Sequence, residues 1–180
     1  MSADEILLTA DRFQVARCQR MLANGSLHQR EVIRHPGSVV IIPRLPDGQI
    51  CLIKNFRISV DQPLIELPAG TLETNEKPLA CAKRELTEET GYTAGAIQQL
   101  TRFYAAPGIL DELMHLFVAD DLVEGQPNRE AGEEIDNLVL PLPAAISMIT
   151  SGEICDAKTI VGLLWCQQFQ SDETRHLSWE

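Results

Sequence analysis

Gly70 to Tyr92 reads GTLETNEKPLACAKRELTEETGY. Its first part is a loop, and Thr74 or Asn75 is placed to cap a helix start. Pro78 falls in the first turn, where a missing N–H costs little. Leu79, Ala82 and Leu86 recur at helical spacing and are expected to face the core. Gly91 stands where a glycine commonly ends a helix. The stretch is therefore a loop, a short helix and a stop. Glu85, Glu88 and Glu89 are three and four residues apart, so they share one face, beside the apolar one. Like charges at that spacing cost about 0.2–0.5 kcal/mol per pair. They also lie near the helix C-terminus, where negative charge is disfavoured. A hard divalent cation such as Mg²⁺ would compensate, because it prefers carboxylate oxygens and substrate phosphates. Lys83 and Arg84 offset part of the charge. A bare E-x-x-E-E run can equally be a solvated charged face, so the neighbours of the run decide.

Those neighbours form a long pattern with fixed spacing. Gly70 is followed after five residues by Glu76, and after seven more by Arg84-Glu85-Leu86. One residue later come Glu88-Glu89, and after one more Gly91-Tyr92. This resembles the Nudix box at every fixed position, with a bulky Tyr92 at the last, hydrophobic one. The resemblance implies a hydrolase that cleaves a nucleoside diphosphate linked to another moiety, with Mg²⁺ or Mn²⁺. It implies that Glu85 and Glu89 bind metal and that Glu88 binds metal or supports its shell. Arg84 would orient the glutamates by ion pairing, and Glu76 would be a structural acid near the loop. The implied fold is α/β: a Nudix α/β/α sandwich with a mixed β-sheet.

Upstream, Ser38 to Pro43 is a continuous apolar run typical of a buried strand. Pro46-Asp47-Gly48 is a turn, and Gln49 to Lys54 is the next strand. Asn55-Phe56-Arg57 and Glu66-Leu67-Pro68-Ala69-Gly70 follow. With His35-Pro36-Gly37 these segments resemble the ADP-ribose pyrophosphatase subfamily, which usually has glutamine where Asn55 stands. Arg57 could clamp a phosphate or stack on a base, or simply pair with a surface acid. Glu66 is an acid in an apolar strand, and a buried carboxylate needs a metal or hydrogen-bond partner. A site role is expected for it. By resemblance the Ala69 carbonyl is a metal ligand.

Downstream, Ala96 to Phe103 and Glu112 to Ala119 read as strands around a turn at Tyr104 to Gly108. Pro107-Gly108, followed by Glu112, resembles the substrate-binding mark of the same subfamily, with Ala106 replacing its serine. His115 reads as a structural histidine. Gly125 to Asp136 is polar and glycine-bearing, the composition of a mobile loop where functional groups concentrate. The resemblance implies a general base on this loop. Glu133 aligns best and Glu134 is the alternative, with Glu130 also present. Asn137 to Leu142 is a strand, and Pro143 to Ile149 a helix stopped by Gly152. Asp156 caps a last helix, Ala157 to Phe169, with Ile160, Leu163 and Leu164 as its core stripe.

At the other end, residues 4–34 alternate weakly around a hairpin turn at Asn24-Gly25. An antiparallel β extension over 1–36 is expected, then the Nudix domain over 37–170 and a polar tail over 171–180. Three strands alone are marginal and need a partner surface. By resemblance that partner is a second subunit, giving a homodimer; the alternative is that the sheet packs on its own domain. An apolar share of 44% in 180 residues supports one core. A net charge of −11 argues against nucleic-acid binding, which requires basic patches. No run approaches 18 apolar residues, so no membrane helix is expected. The five cysteines are odd in number and scattered, which points to reduced thiols and a cytoplasmic protein.

The resulting expectation is metal-dependent hydrolysis of ADP-ribose or a related nucleoside diphosphate sugar. The same chemistry on GDP-mannose, a dinucleoside polyphosphate or NADH is an alternative. A nucleotide sensor that does not cleave is another, though such modules usually lose box glutamates.

Overall fold

A computed structural model describes residues 4–129 and 134–169 of the chain. Glu130 and Glu133, and the tail from 170 onward, lie outside the described residues. At the N-terminal end β1 (Glu5–Thr9), β2 (Gln14–Met21) and β3 (Leu27–Arg34) form an antiparallel sheet in chain order. The hairpin turn falls at Asn24-Gly25 as read: Gly25 N–H donates to the Leu22 carbonyl, and Asn24 Oδ1 accepts from Ser26 N–H. Ile33 and Arg34 tie this sheet to the loop before β9 (Leu113–Val123). Ile33 N–H donates to Ile109 O at 2.8 Å, and the Arg34 guanidinium pairs with Asp111 at 2.8 Å.

The body is built on β4 (Ser38–Pro43), which is buried along its whole length. It pairs antiparallel with β7 (Ala69–Thr71) and parallel with β9. β8 (Thr93–Tyr104) completes this mixed sheet beside β9. A second sheet has β5 (Gln49–Arg57) between β10 (Ile135–Pro141) and β6 (Gln62–Glu66), all antiparallel. Both faces of β4 are covered, which is why its sequence is continuously apolar rather than alternating. Val39 and Ile41 pack with Cys81, Ala82 and Leu86 of the box helix. Val40 and Ile42 pack with Leu142, Ala145 and Leu163 of the two later helices. Burying each such side chain contributes about 1.5–3 kcal/mol.

The box helix is α1 (Pro78–Glu85), continued by a π-helical segment over Leu86–Thr90. Pro78 occupies its first turn as read, but the cap is Lys77, with no side-chain hydrogen bond. Asn75 instead has φ 65° inside a turn closed by Glu76 N–H to the Glu73 carbonyl. Glu76 also accepts from Glu73 N–H, so this acid fixes the turn and pushes the helix start past Asn75. Leu79 is exposed, and Cys81 takes the core place expected of it. Helices α2 (Leu142–Ser151) and α3 (Ala157–Phe169) lie on the opposite side of β4 from α1. Asp156 caps α3 through Thr159 N–H at 3.0 Å, as read. In its stripe Leu163 is buried but Leu164 is exposed, and Cys166 fills the face instead. Strand β5 runs three residues beyond Lys54, which sets Arg57 opposite Gln62 at the strand end.

Candidate active site

Arg84 is the hub on the helix side. Its guanidinium donates twice to Glu76, at 3.0 Å each, and from one nitrogen to Glu85 at 2.7 Å and Glu88 at 3.0 Å. Three carboxylates therefore share one cation. The Arg84 hydrogen bonds hold Glu76 far below the usual carboxylate range, at about 2. Arg84 itself is raised, first by Glu76.

Glu85 lies flat against the backbone of β7. A Cβ built on Gly70 would sit 1.8 Å from the Glu85 carboxylate carbon, so only glycine leaves that space. Glu89 is buried, and its Oε2 accepts from Ala69 N–H at 2.9 Å. Glu88 and Glu89 lie in the π-helical segment, whose hydrogen bonds reach one residue further along the chain than those of an α-helix. It ends at Gly91, with φ 82°, where a Cβ would meet the Gly125 carbonyl at 2.8 Å. The loop after β9 is pinned there too. Asn128 N–H donates to the Glu88 carbonyl at 3.0 Å and Arg129 to the Glu89 carbonyl at 3.1 Å.

The facing wall is organised by Glu66, which is 1% exposed. Arg57 grips it with two nitrogens, at 2.7 and 2.6 Å. Lys158, from the first turn of α3, donates to the same carboxylate and reaches Asp156 at 3.1 Å. Burial pushes Glu66 up, but Arg57 and Lys158 together hold it below its ordinary value. Thr159 locks the helix start in place. Its hydroxyl lies 2.6 Å from Asp156 Oδ2 and accepts from Leu67 N–H at 2.7 Å. At the start of β9, Glu112 accepts from the Ser38 hydroxyl at 2.7 Å and lies 3.7 Å from His35 Nδ1.

These walls enclose a cleft of about 370 Å³. Of the residues expected from sequence it brings together Arg57, Ala69, Arg84, Glu85, Glu88, Glu89 and Glu112. Glu66 is not among its lining residues but pairs with two that are, Arg57 and Lys158. Pro107 and Gly108 sit on an exposed turn outside the lining, and Glu134 is likewise exposed and outside it. Glu133 lies outside the described residues. Two lining residues, Arg12 and Lys158, carry no signal in the sequence around them. Lys158 could have been suspected only as a lysine inside the first turn of an otherwise apolar helix.

In this structure the three glutamates of the helix point to different partners. Among the described residues no three acidic, histidine or cysteine side chains close round a common centre. Arg84 draws Glu85 and Glu88 onto itself, while Glu89 turns to Ala69 N–H. The donor chemistry still fits a hard cation. Three carboxylates and the Ala69 backbone line one cleft, and the bare backbone at Gly70 cradles Glu85.

A family model for the NUDIX domain matches residues 34–161. An ADP-ribose pyrophosphatase of Bacillus subtilis is 38% identical over 148 residues, 81% of this chain and 80% of that one. A methanol dehydrogenase activator of Bacillus methanolicus is 36% identical over 148 residues, with the same shares covered. A GDP-mannose pyrophosphatase of Citrobacter koseri is 37% identical over 150 residues, 77% of this chain and 78% of that one. Among solved structures, one described as an ADP compounds hydrolase superposes with TM-score 0.82. It covers 96% of this chain and 94% of its own at 20% identity, a likeness of fold. With the family model spanning both sheets of the body, the box helix and the start of α3, the chain belongs to the NUDIX family.

Proposed function

We propose that this enzyme hydrolyses the pyrophosphate bond of a nucleoside diphosphate sugar, with ADP-ribose as the first choice. The products are a nucleoside monophosphate and a sugar phosphate. One observation carries the reading: a single cleft sets Glu85, Glu88 and Glu89 of one helix against Arg57 and Lys158. A diphosphate bound with a divalent cation presents both signs of charge, and this cleft meets both. Glu85, Glu88, Glu89 and the Ala69 carbonyl would hold Mg²⁺ or Mn²⁺. Such an ion, when bound, neutralises phosphate oxygens and acidifies water.

The chain's own residues do the positioning that phosphoryl transfer mainly requires. Arg57, fixed by Glu66, donates to a phosphate oxygen. Arg84 keeps the carboxylates oriented. Glu112, after the Pro107-Gly108 turn, is offered to substrate hydroxyls. Glu133 or Glu134 takes the proton of the attacking water. The loop leading to them, after β9, is pinned by Asn128 and Arg129 against the end of the box helix. We further propose a homodimer through the N-terminal sheet, whose Ile6, Leu8 and Leu27 are about half exposed. The five cysteines are all free, in keeping with a cytoplasmic enzyme.

A panel with Mg²⁺ tests the substrate: ADP-ribose, GDP-mannose, a dinucleoside polyphosphate and NADH, read as phosphate released after phosphatase coupling. ADP-ribose is expected to lead in kcat/KM by about tenfold, roughly 1.4 kcal/mol of transition-state preference. GDP-mannose is the second reading, because the Citrobacter koseri pyrophosphatase matches 77% of the chain, against 81% for the ADP-ribose pyrophosphatase, at nearly the same identity. Binding of ADP-ribose without product would favour a sensor.

A further inference from the structure

We infer that Arg129 and Asn137 are positioning residues for the metal-binding glutamates. Joined to each other, they hold the peptide carbonyls of Glu89 and Thr90 and so fix the end of the box helix. The inference deepens the proposed pyrophosphatase reading and rests on its metal site. The last carbonyls of a helix have no partner within it. Here each one from Leu86 to Thr90 is satisfied. The Leu86 carbonyl accepts from the Thr90 hydroxyl, and the Thr87 carbonyl from Gly91 N–H at 2.9 Å. The next three are taken by Asn128 and Arg129, ahead of β10, and by Asn137, within it. Glu88 O accepts from Asn128 N–H at 3.0 Å, Glu89 O from Arg129 Nε at 3.1 Å, and Thr90 O from Asn137 Nδ2 at 2.8 Å. Arg129 also donates to Asn137 Oδ1 at 3.2 Å, so the two side chains form one clip. Asn137 thereby spends both ends of its amide.

The clip acts where local structure is weakest. The π-helical segment is a single turn of five residues, a form that is rare and concentrated at functional sites. Negative charge is disfavoured at a helix C-terminus, and a cation is favoured there. Glu88 and Glu89 stand on this last turn, and the Arg129 guanidinium brings a cation to its carbonyls. The carboxylates of the same two residues are held from the other direction, by Arg84 and by Ala69 N–H. Backbone and side-chain end of Glu88 and Glu89 are thus each fixed by an outside partner, which leaves the carboxylate direction little freedom. An anchor serving only the connection to β10 could land on any free carbonyl. This one lands on the peptide groups of two residues whose carboxylates line the cleft. Outer partners of this kind orient metal ligands, and losing one costs about 10–100-fold in metal affinity or activity.

The test is Mn²⁺ uptake by the free enzyme, read as loss of the free-ion signal in electron paramagnetic resonance. It compares wild type, R129M, N137A and the double variant, each well below its own melting temperature. Each single variant is expected to bind Mn²⁺ about tenfold more weakly. The double variant should lose no more than about threefold beyond the worse single one, because either change opens the same clip. R129K, which keeps a cation beside the Glu89 carbonyl, should recover part of the loss. Mn²⁺ affinity within about threefold of wild type in both single variants overturns the inference, even where the melting temperature falls, since a merely structural anchor leaves the metal alone. Losses that multiply in the double variant overturn it as well, because two independent contacts are then at work. If R129M does not fold, R129Q replaces it, since its amide still donates to the Glu89 carbonyl without charge. A wild type that binds Mn²⁺ but hydrolyses no substrate of the panel defeats the pyrophosphatase reading, and the clip is still judged by the Mn²⁺ titrations. A wild type that takes up no Mn²⁺ removes the metal site and this inference with it.

Discussion

Replacing Gly70 by alanine should silence the enzyme without unfolding it. The backbone at Gly70 is not in the left-handed region, so alanine meets no conformational strain there. Its new Cβ would lie 1.8 Å from both the carboxylate carbon and Oε1 of Glu85, and 2.5 Å from Cγ. Ordinary contact begins at 3.4 Å, so the carboxylate must retreat by about 1.6 Å. That motion is cheap for the fold, because a flexible side-chain end moves rather than backbone. It is costly for chemistry, since misplacing a reacting group by about 1 Å can lose about 100-fold in rate. The loss corresponds to about 2.7 kcal/mol of barrier. The assay is kcat/KM for ADP-ribose under saturating Mg²⁺, a Mg²⁺ titration and a thermal melt. We expect at least the 100-fold loss, a weaker Mg²⁺ response and a melting temperature within a few degrees of wild type. An alanine variant within about threefold of wild type would show that the placement of Glu85 on β7 does not matter to turnover.

Glu85→Gln and Glu89→Gln should each abolish turnover with circular dichroism unchanged, because glutamine keeps the shape and the Ala69 N–H acceptor of Glu89 but loses the charge; full activity in either purified variant would reject the site. Gly91→Ala should destabilise by about 1–3 kcal/mol, from φ 82° and a Cβ 2.8 Å from the Gly125 carbonyl, and this lowers the melting temperature by about 3–10 °C. An unchanged melt would mean that the loop after β9 moves freely away. Glu76 has a folded value of about 2 against 4.5 for the free group, because Arg84 hydrogen-bonds its charged form. Its contribution is therefore full above pH 4.5 and is lost as pH falls toward 2. Melts of Glu76→Gln and wild type between pH 6 and 2 should converge at the acid end, and parallel curves would refute the linkage.

The box, the strands around it and the stop at Gly91 were legible from local order alone. Each depends on neighbours a few residues apart: the apolar run of β4, the turn glycines, the carboxylates at helical spacing. Composition was enough to expect one core and no membrane helix. Tertiary structure decided the rest, because the partners are distant in sequence. Glu66 was recognisable as a buried acid needing a partner, but Lys158 lies 92 residues away on another element. No local pattern announces that pairing. Leu79 and Leu164 look like core residues by spacing, yet the rotation of each helix on β4 turns them outward and admits Cys81 and Cys166. Asn75 has the side chain of a cap, but Arg84 and Glu76 organise the turn that contains it and delay the helix to Lys77. Sequence determined which residue types stand on each short element. Packing alone decided which of their side chains face one another across the cleft, because register and helix rotation are set by the whole core at once.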